Sequence, residues 1–191
     1  MVVHCDTERH ARNLWAAVAN RLGAFGLELH PDKTRVVYCK DGRRRGDFEH
    51  TSFDFLGYTF RARRVKGPRG SFVSFNPAIS GKARKAVNKK VRNWHLNRRS
   101  GTDLSGLAKD INPKVRGWIN YYGAFYRSQL YSLARHIDEH LVRWAMQKFK
   151  RLRGRFARAW DWLNAARQRA PRLFAHWVML PLTQSRSVGA V

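Results

Sequence analysis

Apolar positions in the first third of the chain come as short alternating runs around one helical stretch. Residues 2–5, 27–30 and 35–39 read as strands. Residues 7–22 read as a helix with Ala11, Leu14, Trp15, Val18 and Leu22 on one face, ended by Gly23 and Gly26. Pro31-Asp32 and Asp41-Gly42 are turn signals, and the Arg-rich loop at 43–46 reads as exposed. Phe53, Phe55 and, past a bend at Gly57, Tyr58 and Phe60 predict an aromatic strand pair. A hairpin closed at 67–70 then brings in a strand at 72–75.

The period changes at Asn76-Pro77, where a domain boundary is expected, and the remainder of the pattern is helical. Ser80 is placed to cap a helix reaching about residue 97, with Ala83, Ala86, Val87, Val91 and Trp94 inward. A short helix at 104–111 is expected to stop before Asn112, which would cap a new helix with Pro113 at its first position. That helix would bury Val115, Trp118, Ile119, Tyr122, Phe125 and Tyr126. Leu130, Leu133, Ile137, Leu141, Trp144 and Ala145 line another at about 128–152, ended by Gly154, and a last helix spans about 156–168. No internal repeat stands out. The pattern predicts an α+β fold in three parts: 1–75, 76–170 and a tail at 171–191.

Charge narrows the function. Lys and Arg number 38 against 13 Asp and Glu, a formal net charge of +25, far beyond what solubility requires, so a polyanionic partner is expected. With 43% hydrophobic residues and seven Trp the chain is not a disordered basic tail. No run approaches the roughly 18 apolar residues of a membrane span, and the N-terminal segment lacks signal-peptide character. Cytoplasmic residence without a membrane partner is the expectation. Cys5 and Cys39, each ending a strand-like run, read as small, reduced, buried side chains that neighbour one another in a sheet.

The strongest local feature is the helix after Ser80, whose outer positions carry Lys82, Arg84, Lys85, Lys89, Lys90 and Arg92. No acid lies between Lys82 and Arg99, so the side-chain pairs that usually support a charged helix face are missing, and phosphate contact is the better reading. Trp118 and Tyr122 fit a core face by spacing. Tyr121 and Tyr126, beside Arg116 and Arg127, remain as candidates for stacking on bases. His136-Ile137-Asp138-Glu139-His140 spells a zinc-peptidase pattern, but no third ligand accompanies it and no metal site is assigned. Asp6, Asp32, Asp54 and Asp103 stand alone, and no phosphate-binding glycine loop or nucleophile elbow occurs, so no catalytic residue is read from the residues themselves.

Taken together, residues 2–5, Leu27-Glu28-Leu29-His30-Pro31-Asp32-Lys33-Thr34, Phe53-Asp54-Phe55-Leu56-Gly57-Tyr58, and Ile111-Asn112-Pro113 with Arg116-Gly117-Trp118-Ile119-Asn120-Tyr121-Tyr122-Gly123 resemble the group II intron reverse transcriptase/maturases. Order and spacing agree to about Trp177. The resemblance implies that 1–75 is the end of a polymerase palm and 76–170 the thumb, or maturase, domain. Lys33 would be the late-palm lysine near the leaving pyrophosphate. Phe55, Leu56, Gly57 and Tyr58 would form the primer-grip turn, where glycine lets backbone approach a strand.

The family's catalytic Tyr-x-Asp-Asp turn precedes the segment that 2–5 resembles, and the sequence does not contain it. Two Mg²⁺ ions held by carboxylates serve polymerases of this kind, so the chain is expected to bind no Mg²⁺ and copy no RNA by itself. Its sheet, without the strands of the rest of the palm, is expected to fray. The family's Cys- and His-rich nuclease domain is not in the sequence either, and DNA cleavage is not expected. Implied partners are group II intron RNA, an RNA/DNA template–primer duplex and a separately encoded N-terminal polymerase half. A truncated remnant without function is the remaining alternative.

Overall fold

The computed structural model describes residues 1–180 apart from Arg45, Asp47 and Arg69. The expectations placed on those three arginine and aspartate positions and on 181–191 lie outside the described residues. The elements are α1 (Glu8–Gly23), β1 (Ser52–Phe55), β2 (Tyr58–Gly67), β3 (Gly70–Ile79), α2 (Gly81–Arg92), α3 (Leu104–Tyr122), α4 (Tyr131–Lys148), α5 (Phe156–Arg169) and α6 (Ala175–Met179). One three-stranded sheet in the order β1-β2-β3 and a run of helices make a mixed fold, compatible with the α+β expectation. The chain divides into two compact units: Met1–Phe53 with Arg61–Phe75, and Asp54–Phe60 with everything from Asn76 onward.

In the first unit α1 starts where the sequence places it. The Thr7 hydroxyl accepts from the His10 N–H at 3.1 Å, and Glu8 in the first turn pairs with Arg12. The strands expected at 2–5, 27–30 and 35–39 do not form. A strand exists through its ladder, and residues 35–39 form none, although Tyr38 N–H donates to His50 C=O at 2.8 Å. Without that sheet, Cys5 and Cys39 are half-buried free thiols rather than core residues. No described residue of this unit is buried, and Phe25, Phe48 and Phe72 are exposed.

The second unit has a dense core. Ser80 caps α2, its hydroxyl accepting from Ala83 N–H at 3.1 Å, and Val87 and Val91 point inward. Ala86, expected inward, is exposed, and the helix stops at Arg92 rather than about 97 because His95 turns left-handed at φ +46°. The expected break at Asn112 is absent. α3 runs unbroken from Leu104 to Tyr122 with Pro113 inside it, and its N-cap is Asp103, which accepts from Gly106 N–H at 2.7 Å. Asn112 instead turns its amide inward. It donates to Leu173 C=O at 2.9 Å and accepts from Ala175 N–H at 2.8 Å, which gives a mid-helix Asn the partners its burial demands.

α4 is the spine. Leu133, Ile137, Leu141, Trp144 and Ala145 are almost fully buried against α2, α5 and the turn at Leu96–Arg98, and truncating such a leucine costs about 2–5 kcal/mol. Trp144 donates to Arg99 C=O at 3.0 Å, so the largest core side chain is also satisfied. Asp138, fully buried on the same helix, accepts from His176 Nε2 at 2.9 Å, Trp177 Nε1 at 2.8 Å and Arg167 at 2.5 Å. Burial alone would raise its carboxyl. The bond and charge of His176, then Arg167 and Trp177, outweigh that and hold it below the usual carboxylate range. This cluster, with Asn112, fastens residues 173–179 to the bundle.

β3 runs on through Asn76-Pro77 to Ile79, beyond the expected end at 75, because an edge strand tolerates a residue without an N–H. Phe125, expected inward, is 61% exposed, since α3 ends at Tyr122 and Gly123 turns the chain away.

Candidate nucleic-acid interface

All six basic residues of α2 are exposed, and the helix carries no acid. Lys82, Lys85, Lys89 and Arg92 recur at steps of three, four and three and share one stripe. Arg84 and Lys90 fall on its two flanks, beside the buried Val87–Val91 side, so the six form a broad basic face rather than a single row. Lys89, Lys90 and Arg92 also sit in the last turn, where cations complement the helix carbonyls.

Arg92 reaches toward α4. Burial, His136, Arg143 and Arg92 push the His140 imidazole down to about 4, and burial with the same two arginines lowers His136 against the opposing pull of Glu139 and an Asn88 backbone bond. The two rings meet edge to face at 4.8 Å. Glu139 lies near Arg135 and Arg143, and among the described residues no three His, Cys, Asp or Glu side chains converge as a metal site would need.

The Phe55–Tyr58 turn belongs to the helical unit. Leu56 and Gly57, at φ +48° and +79°, make a two-residue turn that needs left-handed backbone at both positions and is tight enough to join β1 and β2. Three bonds fix it: Ser80 N–H to Gly57 C=O at 2.9 Å, Tyr121 hydroxyl to Leu56 C=O at 2.8 Å, and Tyr58 hydroxyl to Tyr121 C=O. A Cβ on Gly57 would stand 3.2 Å from the Tyr122 hydroxyl oxygen, so close approach as well as φ asks for glycine. Phe55 is half-buried, Tyr58 is buried beside the rings of Tyr121, Tyr122 and Phe125, and Leu56 stands out at 67% exposure.

Tyr121 is therefore half-exposed but anchored at its hydroxyl. Arg116 is exposed on α3, and Arg127, also exposed, donates to Met179 C=O at 2.6 Å. Lys33 is exposed in the turn after His30, in the first unit, and is not in the unit that carries the other candidates.

Two tryptophans whose spacing points inward pack against the core and are half-buried. Trp94 and Trp118 lie nearly parallel, 8° between planes and 5.7 Å between centroids. They border an open groove of about 490 Å³ lined also by Lys90, Asn93, Pro113, Lys114 and Gly117. The signal for it is in the sequence. Residues 90–94 read Lys-Val-Arg-Asn-Trp and residues 114–118 read Lys-Val-Arg-Gly-Trp, a short repeat that helical periodicity alone passes over.

Residues 84–161, from the fourth residue of α2 into α5, match the family described as group II intron, maturase-specific domain. The chain carries a group II intron maturase domain. Such a domain indicates a maturase role in group II intron splicing and association with the intron RNA. Comparison with curated proteins and with solved structures gives no match. No helix among the described residues is long and apolar enough to cross a membrane.

Proposed function

We propose that this chain binds structured group II intron RNA directly, as the C-terminal portion of an intron-encoded reverse transcriptase/maturase, and so assists splicing and mobility. The observation that carries the reading is the coincidence of the maturase match with an acid-free helix displaying six exposed cations. Lys82, Lys85, Lys89 and Arg92 take phosphates along the α2 stripe, with Arg84 and Lys90 on its flanks. Arg116, Tyr121 and Arg127 meet a second RNA face. The Leu56-Gly57 turn, braced by Ser80 and Tyr121, presents backbone to a primer strand, and Lys33 serves the polymerase end of the parent enzyme.

Phosphate contacts supply affinity and make it salt-dependent, at about 0.9 in logarithmic slope for each phosphate neutralised on a duplex. Replacing Lys82, Lys85 and Lys89 together by Glu is expected to weaken binding of a structured intron domain and to flatten its salt slope by roughly 3. Unchanged affinity and slope would remove α2 from the interface.

A second reading, favoured by the exposed Phe25, Phe48 and Phe72 in a first unit with no buried side chain among its described residues, makes that unit the seat of a separate N-terminal polymerase chain. The reconstituted pair, and not this chain alone, would then use Mg²⁺ and copy RNA. Co-expression with such a chain is expected to protect α1 from proteolysis. Unchanged cleavage would argue against it.

A further inference from the structure

The geometry points to the Trp94–Trp118 groove as a binding site for an unpaired nucleotide, with the base against the indoles and its flanking phosphates on Lys90 and Lys114. This assignment rests on the proposed RNA binding and names what one part of the surface takes.

The repeated pentad sets the geometry. In both copies the Val is fully buried, Val91 and Val115 at 0% exposure, which fixes the rotation of each segment about its helix axis. With the valines inward, the Lys and Arg of each pentad are exposed and the Trp, one turn after its Lys, is half-covered. The two segments meet through their indoles, so two lysines and two rings converge on one groove.

Its chemistry selects the occupant. The groove offers flat π surface and two ammonium groups, and no carboxylate lines it. The nearby Asp110 is engaged by Arg99, whose bond is the main cause of its lowered carboxyl value. The size falls within the roughly 300–1,000 Å³ of small-ligand sites, which suits a nucleotide. A base inside a duplex presents only its edges, whereas a bulged or single-stranded base offers its face, and every base has one. Gly117 keeps the wall low: a Cβ there would meet nothing within 4 Å. Asn93 adds an amide at the rim for a base edge.

The test uses the full chain, a 12-nucleotide oligouridine carrying one 5-iodouridine, and a blunt RNA duplex of equal length. Photocrosslinking of the iodinated strand is expected to map to Trp94 or Trp118. Gly117→Glu, which adds an acid to the groove at an open helical position, is expected to weaken single-strand binding about tenfold or more, the range of one lost base stack. Duplex binding should fall less than about threefold, and Gly101→Ala, at an open position that does not line the groove, should bind as the unmodified chain does. Circular dichroism checks that the variants keep their helices. If the chain binds the oligouridine but crosslinks only elsewhere, and Gly117→Glu binds as before, the groove assignment falls and the RNA-binding reading stands. If the unmodified chain binds neither RNA, both fall.

Discussion

The amide of Asn112, in the middle of α3, clasps the chain on both sides of Phe174: it donates to Leu173 C=O and accepts from Ala175 N–H. A residue whose sequence context marks a helix start is thus the clamp that seats Phe174, itself fully buried, and brings His176 and Trp177 to Asp138. Loss of a partner to a buried polar group costs about 1–3 kcal/mol. Asn112→Ala is therefore expected to lower stability by roughly 2 kcal/mol or more in urea unfolding and to open residues 170–175 to limited proteolysis. An unchanged midpoint and cleavage pattern would contradict the clamp.

The His136–His140 pair gives the bundle a pH dependence with a defined sign. Both imidazoles are held below the ordinary value of 6.5, His140 at about 4. The unfolded chain then takes up protons as pH drops below about 6.5 while the folded chain does not, so stability is lost progressively from there toward about 4. Arg92, Arg143 and Glu139 face the pair, and the two arginines oppose protonation. Melting temperature is expected to fall between pH 7 and pH 5, and His140→Gln is expected to reduce that fall. Identical pH profiles for the two proteins would contradict the assignment. Asp138, held below the usual carboxylate range, contributes a loss only at more acidic pH.

Gly57 is confined by its positive φ and by Tyr122. Gly57→Ala is expected to destabilise the helical unit by about 1–2 kcal/mol, as left-handed backbone with a Cβ does. Leu56→Asn, at φ +48°, is expected to be neutral or stabilising, since Asn tolerates that region better than Leu. Equal effects of the two substitutions in denaturant unfolding would mean that the turn is not held as described.

The legibility of each feature in the sequence depends on how local its causes are. α1, α2 and α5 begin within a residue or so of the places their caps and apolar periods indicate, because those signals are local, as the Thr7 and Ser80 hydroxyls illustrate. The exposed cations of α2 are legible for the same reason. Strands depend on partners distant in sequence, so alternation at 2–5, 27–30 and 35–39 does not become ladder. Asn112-Pro113 misleads differently: the local start signal is overridden by a tertiary demand from Leu173 and Ala175. Periodicity points Trp94 and Trp118 inward because it gives direction but not depth, and only the pairing of the two pentads leaves their rings half open. The maturase match of 84–161 agrees with the resemblance drawn from the motifs around Ile111 and Trp118.

The most direct test of the central claim is binding of the purified chain, across a salt series, to a structured group II intron domain and to a duplex DNA of equal length. Direct recognition of intron RNA predicts at least about tenfold tighter binding of the intron domain at moderate salt, with a preference that survives as the charge contribution is screened. Equal affinities for both, falling along the same steep salt slope, would mean that the +25 charge alone is acting and would contradict direct recognition.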